Sequence, residues 1–341
     1  MIEAVAVVLW VVVTVYAVFG GADFGAGILD LVAGGADRGA RPRAFMDRVL
    51  TPVWEANHVW LIYALVLTWT ALPDAFAAIM STLLVPLGLA ALGIVLRGSG
   101  FAFRKVVVGV PGQRALGAAF ALGSLMTPLF MGAVVGAIAT GRVPTDGRGD
   151  RWGSWLTLPS LCVALLFAAA CAHLASVLLV QEARVADDAA MVRYFRVRAL
   201  AGGVLSGALA VLGLIALHAD GRGLFDDLLG AGLPLVLASV VSGAAALVQL
   251  WRRGAFIREL AAGALVCVVW AWGVAQWPDA LPGELTLHQA AAPRTALTWL
   301  LGISVAAALT VGPALALLFT LQHRDALEED EAAGAPVGAD R

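Results

Sequence analysis

Long stretches of apolar residues recur along almost the whole chain, and short segments that carry most of the charges separate them. We count nine such runs, each about as long as the roughly 20 residues that an α-helix needs to cross a bilayer. Pro86, Pro128 and Pro313 fall inside runs and predict kinks. The pattern predicts an all-α integral membrane protein with about nine transmembrane helices in a bundle. The runs cover approximately residues 2–32, 52–72, 76–96, 115–139, 157–180, 199–217, 233–251, 257–276 and 297–321.

The composition also indicates a membrane protein. Hydrophobic residues make up 61% of the 341 residues and charged residues 13%, and the mean hydropathy is +0.88. A soluble domain carries about 25% charged residues, and no segment between the runs is long enough to bury its own core. We predict a single polytopic membrane domain over residues 1–325. A disordered acidic tail, residues 326–341, follows it and contains Glu328-Glu329-Asp330-Glu331.

The distribution of basic residues predicts the orientation, because Lys and Arg concentrate in cytoplasmic loops. The loops after the odd-numbered runs, with Arg258 at the start of the eighth run, hold 15 Lys and Arg residues, and the loops after the even-numbered runs hold 5. We therefore expect the N-terminus outside and the C-terminus in the cytoplasm. Met1-Ile2-Glu3 lacks the positive segment of a cleavable signal, so the first run is predicted to be a retained span.

Acidic residues within two runs are the first candidates for chemistry. Asp23 lies in the glycine-rich segment 20–27, and Glu55 lies in Trp54-Glu55-Ala56-Asn57-His58-Val59-Trp60 at the start of the second run. Ionisable side chains in a membrane usually face a bundle interior or a water-filled cavity and indicate ion or proton paths. Glu55 and His58 share a helix face, and Asp23 is expected at the same cytoplasmic level. These three residues are predicted to form a path for proton uptake from the cytoplasm.

A structural role is the alternative for both acids. An acid just after Pro52 suits a helix N-terminus, and Asp23 could be an interfacial or capping acid. The four polar or amphipathic side chains within residues 54–58 exceed what a cap requires. We therefore assign supporting roles to Trp54, Asn57 and Trp60.

Two arginines end the third run. Arg97 and Arg104 flank the segment 98–103, and anchoring at the cytoplasmic face would account for most such arginines. Because Arg97 directly follows an apolar stretch, it could reach back and pair with an acid of the first or second span. Both arginines are predicted to support the proton path of Asp23, Glu55 and His58.

Metal ligands are scarce. Cys162, Cys171 and Cys267 lie in apolar runs without paired spacing and are predicted to act as small hydrophobic residues. Haem iron needs axial ligands, but His173 is the only histidine deep in a run and His58 lies near one face. We expect this chain alone to bind no haem and no metal. No nucleotide-binding motif is present, and we expect no nucleic-acid partner.

Four segments, in order, resemble subunit II of the cytochrome bd quinol oxidases. Asp23-Phe24-Gly25-Ala26-Gly27 is similar to the end of its first-helix motif D-G-F-D-x-G-V-G. Residues 52–61 are similar to its second-helix motif P-x-W-D-G-N-[EQ]-V-W-L, and residues 96–104 to its F-R-x-x-x-F-x-[YF]-R stretch. Residues 285–293 resemble its last external loop, L-T-[LVM]-x-x-A-[ST]-S. The resemblance extends over residues 1–325.

The resemblance implies a nine-helix subunit of a bd-type quinol oxidase in the bacterial cytoplasmic membrane. The complex would oxidise quinol, reduce oxygen to water and take the protons from the cytoplasm without pumping. Subunit I of that family holds the haems b and d and the quinol-oxidising loop, while subunit II supports the assembly and lines a proton path. Asp23, Glu55 and Arg97 take the places of the second first-helix acid, the second-helix acid and the arginine after the third span. Membrane lipids and small accessory membrane subunits are further candidate partners.

Several positions depart from the family pattern. Gly20 stands where the family often has its first acid, Ala56 replaces Gly, Glu55 replaces Asp, and His58 replaces Glu or Gln. These changes indicate a divergent branch. The alternative functions are a proton-coupled transporter of a small solute, although no internal repeat supports it, and a structural subunit whose polar residues only pack.

Overall fold

A computed structural model describes residues 1–50, 54–104, 107 and 110–334, with the backbone alone at 36–37, 50, 54–57, 104, 110–111, 315–316 and 318–334. The chain is almost entirely helical, and a short antiparallel hairpin of β1 and β2 lies between α11 and α12. The elements are α1 Ile2–Leu31, α2 Ala36–Leu50, α3 Trp54–Ala71, α4 Pro73–Thr82, α5 Leu84–Arg104, α6 Val110–Ala139, α7 Leu158–Val185, α8 Ala189–Asp220, α9 Arg222–Leu229, α10 Leu233–Arg252, α11 Ile257–Gln276, β1 Asp279–Leu281, β2 Leu285–Thr286, α12 Leu287–Ala290 and α13 Arg294–Gly334.

The prediction of an all-α membrane bundle is confirmed. Within the described part of the chain, eight helices are long and apolar enough to cross a membrane. The α3–α4 pair adds a ninth if it counts as one span, although its two helices are bent by 117° relative to each other. These are the nine predicted regions, and only their boundaries differ.

The predicted third span, residues 76–96, was wrong in its boundaries. The chain divides it at Leu83, so that its first part belongs to α4 and the remainder to α5. Proline explains the division, because Pro86 has no N–H to donate to the carbonyl of Thr82. Pro86 therefore lies in the first turn of α5 rather than at a kink within a span, while Pro128 and Pro313 lie inside α6 and α13.

Two segments that we expected to be loops are helical. Helix α2 occupies most of the segment after the first span, and its Phe45 contacts Phe195 of α8 with ring centroids 5.8 Å apart. Helix α9 buries Leu224 and Leu228 in a cluster with Ala271 of α11. Both helices are too short and too polar for a hydropathy pattern to reveal them.

The connecting loops separate to the two ends of the bundle. At one end, Arg41 pairs with Asp188 at 2.8 Å, and Gln181 donates to the carbonyl of Ala255. At the other end, Arg142 pairs with Asp220 at 2.7 Å. The loops after the first, fifth and seventh spans therefore share one end, and those after the fourth and sixth spans share the other, as the charge count assumed. Which end faces the cytoplasm stays a prediction.

Candidate functional site

A buried ion pair joins the first and third spans. Nη2 of Arg97 on α5 lies 2.5 Å from Oδ1 of Asp23 on α1 and also donates to the backbone carbonyl of Asp23 at 3.2 Å. Only 1% of Arg97 and 2% of Asp23 is exposed. The expectation that Arg97 reaches back to an acid of the first or second span is confirmed. Burying both charges is tolerable only because each compensates the other.

The remaining contacts of the Arg97 guanidinium hold it in place. Its Nη1 donates to the hydroxyl of Ser124 on α6, which in turn donates to the carbonyl of Phe120 at 2.7 Å. The guanidinium carbon lies 4.9 Å from the ring centroid of Phe24 and 4.7 Å from that of Phe120. Cation–π contacts of this kind strengthen when the cation is desolvated. The pair is thus fixed by three helices, and Ser124 and Phe120 had no signal in the sequence that separated them from other residues of an apolar run.

Glycines of α1 permit this close assembly. A Cβ on Gly25 would lie 1.9 Å from the carbonyl oxygen of Cys171 on α7, and one on Gly27 would lie 2.0 Å from the Ser124 hydroxyl. Only glycine allows backbones to approach so closely. Gly25 and Gly27 therefore serve contact between helices.

An apolar cavity of about 720 Å³ lies beside the ion pair. Its lining includes Gly20, Gly21 and Phe24 of α1, Cys171 of α7, and the ring of Tyr16. A Cβ on Gly20 would meet Tyr16 Cε2 at 3.0 Å. The Tyr16 ring thus lies against the position at which the resembling family often has its first acid.

Other predicted site residues are only partly described. His58 and Trp60 are half-buried on α3, and α3 packs against α1. Tyr63 on the same helix donates to the hydroxyl of Ser304 on α13 at 2.6 Å. The side chains of Trp54, Glu55, Asn57 and Arg104 lie outside the described residues. The proposed proximity of Glu55, His58 and Asp23 therefore stays a prediction.

Asp30 has a structural role at the end of α1. Its carboxylate pairs with Arg43 of α2, and Arg43 Nη2 also donates to the carbonyl of Gly34 at 2.7 Å. The contacts tie α2 to the end of α1.

The described part of the chain contains no cluster of three or more His, Cys, Asp or Glu residues that could hold a metal ion. His173 Nδ1 lies 2.8 Å from the carbonyl oxygen of Ala199. The ring packs against Gly203, and a Cβ added to Gly203 would lie 2.9 Å from His173 Cε1. The described residues that line the cavity include no histidine.

Comparison with known proteins assigns the family. The family model for cytochrome bd terminal oxidase subunit II matches residues 1–322. Cytochrome bd-I ubiquinol oxidase subunit 2 of Escherichia coli K12 is 29% identical over 143 residues, which is 41% of this chain and 37% of that protein. The same figures hold for the protein of that name in E. coli O157:H7. The match therefore spans little more than a third of the length of these relatives.

A solved structure shares the fold. A chain of the bd oxidase from Geobacillus thermodenitrificans superimposes with a TM-score of 0.80 at 23% identity, covering 94% of this chain and 98% of that one.

Proposed function

We propose that this chain, which belongs to the family of cytochrome bd terminal oxidase subunit II, works as one subunit of a bd-type quinol oxidase complex. It is a multi-pass protein of the bacterial inner membrane. The complex would oxidise quinol and reduce oxygen to water together with a larger subunit I. The observation that carries this proposal is the family match over residues 1–322.

The haems b and d are proposed to reside in subunit I. The described residues of this chain do not fit a haem, since the lining of their large cavity has no histidine and Nδ1 of the deeply placed His173 is engaged with Ala199. Electron transfer is therefore proposed to take place in subunit I. Its proposed contribution is to support subunit I and to conduct protons.

Proton uptake is proposed to begin at Glu55 and His58 and to continue along the contact between α3 and α1 towards Asp23. Support comes from the burial of Asp23 and from its position on the helix against which α3 packs. The Arg97 guanidinium compensates the Asp23 charge, so a carboxylate can persist at this depth without the full cost of an isolated buried ion. Trp54, Asn57, Trp60, Arg97 and Arg104 are proposed to position these groups.

No observation on the described residues favours the alternative of a proton-coupled transporter. The described lining of the cavity is almost entirely apolar, which does not suit a polar solute. The purely structural alternative remains the competitor for the ion pair, and it predicts different behaviour in the variants described in the Discussion.

Purification through a tag on this chain tests the assembly. We expect a haem-rich membrane partner, an absorption spectrum with haem bands, and oxygen consumption that depends on quinol. The chain expressed without its partner should give no Soret band. A colourless single chain that moves a solute would overturn the proposal, as would stoichiometric haem on the isolated chain.

A further inference from the structure

Arginines from three elements meet at the turn between α10 and α11. Arg184 near the end of α7 donates from Nη1 to the carbonyl of Gly254 at 2.6 Å, and Arg196 of α8 donates from Nη2 to the carbonyl of Trp251. Arg253 lies within this turn, and its charge and that of Arg196 both act on Arg184. This arginine cluster, Arg184, Arg196 and Arg253, lies at the bundle end that also holds the loops after the first and fifth spans.

The cluster carries positive charge that no described side chain compensates. Arg41, Arg43, Arg97 and Arg142 each form an ion pair with an aspartate, whereas no described carboxylate lies within ion-pair distance of the three cluster arginines. Two of their donors, Arg184 Nη2 and Arg196 Nε, are buried without a hydrogen-bond partner. Leaving charged donors unsatisfied and like charges adjacent is unfavourable. An anion beside the cluster would compensate the adjacent positive charges.

Capping of a helix end accounts for only part of this arrangement. Arg184 and Arg196 donate to carbonyls at the end of α10, where cations are favoured. Each uses one nitrogen for this purpose, and Arg253 is not needed for it. Capping therefore explains the position of two arginines but not the concentration of three positive charges.

Exposed apolar side chains place the cluster at the edge of the membrane. Val185 is 84% exposed, Trp251 71% and Phe256 65%, and all three adjoin the cluster in sequence or across the turn. Aromatic residues next to arginines are typical of the level at which hydrocarbon meets lipid headgroups. The surroundings therefore favour a lipid over a free anion.

We propose that Arg184, Arg196 and Arg253 bind the phosphate of an anionic phospholipid in the leaflet that faces this end of the bundle. Guanidinium groups recognise phosphate through paired N–H donors, and basic pockets between membrane helices bind such headgroups. The site is separate from the Asp23–Arg97 pair, and its existence does not depend on the oxidase activity.

Lipid retention by the complex, purified through this chain, tests the proposal. The complex is placed in nanodiscs of phosphatidylcholine with or without phosphatidylglycerol, released into mild detergent, and examined by native mass spectrometry. We expect retained phosphatidylglycerol on the unaltered complex and about five-fold less for each cluster charge removed in Arg196→Gln and Arg253→Asn. Arg253 is exposed, so its variant can be measured alone if Arg196→Gln fails to assemble.

Arg222→Gln is the matched control. Arg222 is an exposed arginine at the opposite end of the bundle, and its Nε also donates to a helix carbonyl, that of His218 at 3.3 Å. This variant should retain phosphatidylglycerol as the unaltered complex does. Equal retention in the cluster variants would overturn the proposal. Displacement of the lipid by inorganic phosphate would identify a free-anion site and would overturn the assignment to a lipid.

Discussion

Arg97 and Asp23 lie 74 residues apart in the chain, yet the Nη2 of one is 2.5 Å from the Oδ1 of the other inside the helix bundle. Each charge would be very costly at this depth alone. The Arg97–Asp23 contact therefore links α5 to α1, and α6, which packs against both helices, holds the two charged residues together.

Removing one member of this pair should be more harmful than removing both charges together. Arg97→Gln leaves the buried Asp23 carboxylate without its guanidinium and should destabilise the protein by about 3–5 kcal/mol. The double variant Asp23→Asn with Arg97→Gln has no buried charge and should recover part of this loss. Thermal unfolding of the purified complex measures the difference.

Single and double variants with equal stability would contradict a coupled buried pair. Activity separates a structural role of the pair from a functional one. If the double variant regains stability but not quinol-dependent oxygen consumption, the Asp23–Arg97 pair has a function beyond packing. Full activity in the stable double variant would support the structural alternative.

The sequence indicated that Arg97, which directly follows an apolar run, could reach back to an acid of the first or second span, but it did not distinguish this pairing from anchoring at the membrane face. It could not predict Ser124 or the rings of Phe24 and Phe120, since their roles arise from which helices become neighbours. The division at Leu83 was missed for another reason. Residues 76–96 are apolar on both sides of Leu83. Hydropathy does not reveal that Pro86 cannot donate a backbone hydrogen bond to the carbonyl of Thr82.

Gly25 is predicted to be essential for the packing of α1 against α7. Gly25→Ala would place a methyl group 1.9 Å from the carbonyl oxygen of Cys171 and should force α1 away from α7. Gly98→Ala on α5 is the matched control, because nothing lies within 4 Å of its added Cβ. We expect a large fall in the yield of assembled complex for the first variant and unchanged or slightly improved thermal stability for the second. Similar behaviour of the two would show that the α1–α7 contact is adjustable.

The orientation can be measured with reporter fusions. Fusions after Arg41, Lys105 and Arg193 should report cytoplasm, and fusions after Asp146 and Glu284 should report the outside, given the 15-to-5 basic bias. The backbone amide of Thr145 lies 3.4 Å from the Glu284 carboxylate, so these two loops should give the same signal. A cytoplasmic signal after Asp146 with an external one after Arg41 would invert the orientation.

Asp188 should add a pH-dependent component to stability in the acid range. Hydrogen bonds from the Met191 amide, then the Arg41 guanidinium, lower the pKa of Asp188, which caps the start of α8. A lowered pKa in the folded state means that ionised Asp188 stabilises the fold fully above its unfolded pKa of about 3.9, and that this stabilisation is lost as the pH falls through the folded value.

Asp188→Asn isolates this component, because Asn retains a capping oxygen but does not titrate. Thermal midpoints measured between about pH 6 and about pH 3 should show a weaker acid dependence for the variant than for the unaltered protein. Identical curves would mean that other carboxylates dominate in this range.

Glu55 is predicted to carry protons, although its side chain lies outside the described residues. It is an acid at the predicted cytoplasmic boundary and shares a helix face with His58. Glu55→Gln retains its shape and hydrogen-bonding capacity but removes the titrating proton, so oxygen consumption with excess quinol should fall well below that of the unaltered complex while the haem spectrum stays intact. Glu55→Asp, which restores the acid of the resembling family, should retain more activity.

A helix-capping role of Glu55 predicts instead that Glu55→Gln costs at most about 1 kcal/mol of stability and leaves turnover near normal. Measured proton uptake and turnover equal to those of the unaltered complex would therefore reject a proton-conducting role for Glu55.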